Sequence, residues 1–244
     1  MLWKKIKGLK KSLLHQAPAA AADSKQSATI LFEITLVFIT FFLPGFLYSY
    51  PETTGFNTTA YMLQFVSIAL PQILFMGYLI WLQKPLKFID FGISKLRAGD
   101  IPFALLIYLG IFALLLAAAL LVQLLPRSGR LALETGFRWR LASWSQLPLA
   151  LIFSLATGYR EELFFRAYLL TRFSQLGVNR YLGVLAGTLL FSLGHLYQGP
   201  AGLTVAFIQG IYFGLIFLHK KNIHMLALAH TFYNLTILSI TLVI

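Results

Sequence analysis

The chain has 244 residues, 58% of them hydrophobic and 11% charged, with no cysteine and a formal charge of +12. Soluble domains average about 45–50% apolar and about 25% charged, so the figures exclude an ordinary soluble domain, and disordered, collagen-like and coiled-coil chains with it. The absence of cysteine excludes a disulfide framework, thiolate metal sites and a cysteine nucleophile, and the basic excess of so apolar a chain points to cytoplasmic loops and lipid headgroups, not nucleic acid.

Residues 1–29 come first and differ from the rest. Lys4, Lys5, Lys7, Lys10 and Lys11 interleave with Leu2, Trp3, Ile6, Leu9 and Leu13 at helical spacing. This pattern predicts a basic amphipathic helix lying on an anionic leaflet. A secretory signal is not expected, because His15, Gln16 and Pro18 break the apolar run between Lys11 and Asp23.

From residue 30 onward the chain reads as an all-α, polytopic transmembrane bundle. A bilayer core needs about 20 apolar residues of helix. Stretches of that kind fall at 30–48, 61–82, 102–125, 146–171, 181–198, 201–219 and 223–243. An interfacial or re-entrant segment over 131–147 would make an eighth. With the N-terminus cytoplasmic, the outer loops hold only Arg127, Arg130, Arg138 and Arg140 of the chain's 20 Lys and Arg. Most of the others fall on the inner side, which is the expected orientation of an integral plasma-membrane protein.

Ionisable residues inside apolar helices are expensive and usually functional. Three clusters stand out, all in the second half of the chain. The fourth stretch carries Arg160, Glu161, Glu162 and Arg166. Neighbouring side chains on a helix diverge by about 100°, so the two glutamates face different surroundings. Glu162 and Arg166 can pair at i,i+4, which leaves Glu161 the less committed carboxylate. The fifth stretch ends Phe191-Ser192-Leu193-Gly194-His195, where Gly194 would allow another helix to approach. The last contains His230 and Asn234, again i,i+4 on one face. Glu33 is read as lying near a helix end and snorkelling, and His219 and His224 as interfacial.

Hydrolysis of a peptide bond without a covalent intermediate needs an activated water and donors for the oxyanion. A glutamate and a histidine can hold and deprotonate water, and a histidine and an asparagine one turn apart can supply two donors. Metal is the competing assignment. Glu161, His195 and His230 would make a two-histidine, one-carboxylate zinc site with an open water position. No H-E-x-x-H helix is present. Ser154 and Ser192 have no evident base beside them, so serine catalysis is unsupported. The same polar set would also suit a non-enzymatic membrane binding or immunity protein, or a small transporter.

Glu161-Glu162-Leu163-Phe164-Phe165-Arg166 resembles an E-E-x-x-x-R motif, Phe191 to His195 an F-x-x-x-H motif, and His230 to Asn234 an H-x-x-x-N motif. In this order, each in its own hydrophobic stretch, they are similar to the CPBP family, the CAAX prenyl proteases and bacteriocin-processing enzymes also called Abi proteins. The similarity spans about residues 85–240, with Phe91-Gly92-Ile93 at its early edge and Gly210 to Gly214 within it. The resemblance implies an intramembrane glutamic endopeptidase acting on membrane-associated or lipidated peptides and proteins. It implies that Glu161 activates water with His195, that His230 and Asn234 form the oxyanion site, and that Glu162 and Arg166 support them. No cofactor is implied, with zinc the alternative. By helix rise, Glu161 would lie about 15 Å, His230 about 10 Å and His195 about 21 Å from the cytoplasmic ends of their spans. A wet cavity open to that side is therefore expected.

Overall fold

The computed structural model describes residues 23–43, 57–124, 126 and 140–243. Most of the basic N-terminal segment, residues 1–22, and the 131–139 part of the expected interfacial stretch lie outside the described residues. Among the described residues the fold is all-helical. Helix α1 runs Ser24–Phe41, α2 Thr58–Leu82, α3 Asp100–Val122 and α4 Leu147–Glu162. The α4 axis continues without a break through a π-helical turn, Leu163–Tyr168, into α5, Leu169–Gln175. Helices α6, α7 and α8 run Arg180–Leu193, Gly199–Lys220 and Ile223–Ile240.

Caps explain where the helices begin. Asp23, Asn57, Asn179 and Asn222 accept bonds from first-turn backbone N–H groups of α1, α2, α6 and α8. Each satisfies a donor that the helix itself leaves open. Pro148 and Pro200 stand in the first turns of α4 and α7, where no helical N–H is needed.

Four elements among the described residues are long and apolar enough to cross a membrane: Thr58–Leu82, Asp100–Val122, Leu196–Lys220 and Ile223–Ile240. The burial pattern is that of a membrane bundle. Leu74 on α2 and Leu116 on α3 are 75% and 63% exposed, whereas Glu162 and Arg166 are 0% and 2% exposed. Apolar side chains thus cover the outside and the charges sit within.

Two expectations change here. The stretch 181–198 is not one helix: α6 stops at Leu193 after 14 residues. That length rises about 21 Å against a hydrocarbon core of about 30 Å. The chain then turns through His195 and a 3₁₀ turn at Leu196–Gln198 before α7 starts. Glu33 is not near a helix end either; it lies in the middle of α1, held by Tyr168 and Arg172.

Helix α4 packs between α2 and α8, α8 packs on α3, and α6 and α7 form a hairpin against α5. Glycines stand at two close helix crossings. A Cβ on Gly158 would meet the Ala227 carbonyl oxygen of α8 at 2.7 Å, and one on Gly210 would meet the Thr188 side chain of α6 at 2.7 Å. Gly194 has no such role. A Cβ there would meet only the Phe191 carbonyl oxygen, at 3.2 Å.

Candidate active site

The α4–α8 crossing puts two acids of one helix against one imidazole of another. His230 is buried on α8 between the consecutive carboxylates of α4. Its Nδ1 lies 2.9 Å from Glu162 Oε1, and its Nε2 lies 3.7 Å from Glu161 Oε2. Glu162 in turn receives Arg166 Nε at 3.1 Å. With Glu162 ionised against Arg166, Nδ1 is the nitrogen that donates, and the Nε2 side faces Glu161.

The expected Glu162–Arg166 pair is present, but the helix between them is not the regular one that the spacing predicts. Arg166 lies in the π-helical turn that begins directly after Glu162. Such turns are rare and concentrate at functional sites. The Arg166 guanidinium also lies over the Phe191 and Phe213 rings, at 4.7 and 5.8 Å.

His195 reaches the same place from the end of α6. Its ring is 4.7 Å from the Phe191 ring, and the His230 ring is 6.2 Å from that same phenylalanine. Its Nδ1 is 2.9 Å from the Phe191 carbonyl oxygen. A carbonyl only accepts, so Nδ1 carries the proton and Nε2 is left with a lone pair. Glu161 and His230 are both within electrostatic range of His195.

Helix α8 runs alongside α4, which sets His230 against the two glutamates. Tyr159 Oη sits 3.0 Å from His224 Nδ1, and the Ile223 N–H donates to the Gly92 carbonyl at 2.9 Å. The Nε2 of His224 also lies 2.7 Å from the Ser94 carbonyl oxygen. Asn234 stands one turn beyond His230 on α8, half-buried, and has no hydrogen bond to a described residue.

Zinc would require Glu161, His195 and His230 to converge on one ion. Among the described residues no group of three His, Asp or Glu side chains is placed to hold a metal. The side chains line up as Arg166–Glu162–His230–Glu161, a relay of alternating partners.

Two groups escaped notice in the sequence. Arg172 falls one residue past the expected 146–171 stretch, yet it is buried and pairs with Glu33, joined by Tyr168 Oη at 2.8 Å from Glu33 Oε2 and by Gln83. Two opposite charges within apolar stretches were the available signal, since such charges pair. Gln72, in the middle of α2, accepts from Arg160 Nε.

Residues 143–236 match a family model described as Type II CAAX prenyl endopeptidase Rce1-like. The matched stretch contains all three motifs, and it agrees with the resemblance that they carry. No curated protein and no solved structure gives a significant match.

Proposed function

We propose that the protein is an intramembrane endopeptidase in which Glu161, backed by His195, activates the water that cleaves a peptide bond. The observation that carries this reading is the placement of Glu161, beside His230 but outside the Glu162–Arg166 pair. A carboxylate with no fixed cation bonded to it is free to take a proton. The family match over 143–236 supports peptides as substrates.

Glu161 removes a proton from water as the oxygen attacks the carbonyl carbon. His195 Nε2, with its lone pair, holds the same water. Asn234 Nδ2 donates to the oxygen that gains negative charge. His230, carrying a proton on each ring nitrogen, keeps Nδ1 on Glu162 and donates to the same oxygen from Nε2, retaining both protons throughout. The proton on Glu161 then passes to the amide nitrogen, the C–N bond breaks, and an acid and an amine leave. Arg166 and Glu162 hold the His230 ring and do not touch the reacting atoms. No step passes through a metal.

Substrates are peptides or lipidated proteins that reach the site from the bilayer, with the N-terminal side of the chain in the cytoplasm. The purified protein in liposomes, incubated with lipidated and unlipidated peptides, should yield new termini detectable by mass spectrometry. Binding of those peptides with no cleavage under any condition would favour the non-enzymatic binding reading and contradict the protease.

A further inference from the structure

Helix α2 ends at Leu82, and the chain beyond it folds back as a short loop and a 3₁₀ turn, Phe88–Phe91. Between the helix end and that turn lies an open groove of about 540 Å³. Ile80, buried, forms its floor, and Trp81, Leu86 and Phe88 form apolar walls. Its charged groups are Lys84 and Lys87, both exposed. The volume falls within the range of about 300–1,000 Å³ found for small-molecule sites.

Neither lysine pairs with an acid among the described residues. The Lys84 ammonium lies 4.9 Å from the Trp81 ring centre, over the apolar wall. Asp90, the nearest acid in sequence, has one carboxylate oxygen on the Lys87 backbone N–H at 2.8 Å. Gln83 is turned the other way, to Glu33 and Arg172. The corner also lies at a membrane edge. Helix α2 is long and apolar enough to cross, and Tyr78, Trp81 and Leu82 near its end are about half exposed. Tyrosine and tryptophan so placed sit at headgroup level. Lys220 and Lys221 share this side, because the neighbouring Ile223 N–H donates to the Gly92 carbonyl. This is the basic face of the bundle, and such a face sits against the anionic leaflet.

We propose that this groove binds an anionic glycerophospholipid of the surrounding bilayer, its phosphate between Lys84 and Lys87 and the upper part of an acyl chain along Trp81, Leu86 and Phe88. Charge selects the headgroup: two ammonium groups with no acid to pair with call for an anion, and lysine takes a phosphate as a point charge. The walls select the rest of the molecule. A free phosphate would leave the rings of Trp81 and Phe88 in water, whereas a lipid chain covers them, and covering apolar surface is favourable in proportion to its area. The site goes beyond the protease reading and does not rest on it, since none of its side chains enters the Arg166–Glu162–His230–Glu161 relay.

The test is native mass spectrometry of the full chain in detergent, with phosphatidylglycerol or phosphatidylcholine of identical acyl chains added at equal concentration. The wild type should bind its first phosphatidylglycerol about 10–30-fold more tightly than phosphatidylcholine, the range for two lysines beside an anionic lipid. Lys84→Gln/Lys87→Gln should lose that preference. Lys220→Gln/Lys221→Gln, which removes the same charge from the same face outside the groove, should keep it. Equal binding of the two lipids by the wild type would overturn the proposal, as would a preference that survives in the first variant or falls equally in both. A second measurement needs no substitution: phosphatidylglycerol should slow acetylation of Lys84 and Lys87 in the wild type more than that of Lys220 and Lys221, and uniform slowing would overturn the proposal. Inorganic phosphate or an acidic peptide at the same concentration should not displace the lipid; displacement by either would overturn the lipid as the occupant.

Discussion

His230 and Glu162 meet at 2.9 Å across the α4–α8 crossing, through Nδ1 and Oε1. The bond fixes which ring nitrogen carries the proton, so it sets what the opposite face of the ring offers to Glu161. Glu162 can play this part only while Arg166 keeps it ionised, at 3.1 Å and fully enclosed.

Glu162→Gln should therefore damage stability and activity together. It leaves Arg166 buried without its partner, a loss of about 3–5 kcal/mol. The double variant Glu162→Gln/Arg166→Leu removes the stranded charge. It should regain thermal stability in detergent, yet remain slow, because His230 still lacks its charged partner. Recovery of both properties in the double variant would show the pair to be structural alone.

Asn234→Ala should do the reverse. The side chain is half-buried and bonded to no described residue, so unfolding should change by no more than about 0.5 kcal/mol. Loss of one oxyanion donor should lower kcat by about 100–1000-fold. Thermal unfolding and kcat measured on one preparation separate the two effects.

Gly158→Ala tests the crossing itself. The added Cβ would sit 2.7 Å from the Ala227 carbonyl oxygen, so α4 and α8 must part. The expected cost is about 1–3 kcal/mol. Turnover should fall as well, since the same two helices carry Glu161 and His230. Gly77, where an added Cβ would meet nothing within 4 Å among the described residues beyond its own helix, is the control site, and alanine there should leave both quantities near wild type.

Chelation addresses the zinc alternative. Glu161, His195 and His230 are not grouped to hold an ion among the described residues. Peptide cleavage should thus survive a strong chelator, and added zinc should not raise it. A loss on chelation that zinc reverses would return the metal to the mechanism.

Much of the site was legible because helical spacing is local. Glu162 and Arg166 at i,i+4 predicted a pair, and a pair formed. His230 and Glu161 stood out because charged and polar groups are rare in apolar helices. What joins different helices was not legible. No periodicity could show that His230 sits between two carboxylates 68 and 69 positions earlier, or that Glu33 meets Arg172 at a separation of 139. Hydropathy also misjudged α6. The expected stretch runs on to residue 198, but the helix ends at Leu193, where Gly194 and His195 turn the chain. The π-helical turn after Glu162 has no composition signal; its Phe164 and Tyr168 are fully buried in the core.

The most direct measurement is the cleavage rate of a lipidated peptide by purified wild-type and Glu161→Gln protein, reconstituted side by side and matched for thermal stability. The expected result is a fall in kcat of at least about 100-fold in the variant, the lower end for loss of a general base. Full turnover by folded Glu161→Gln protein would contradict a glutamate-activated water.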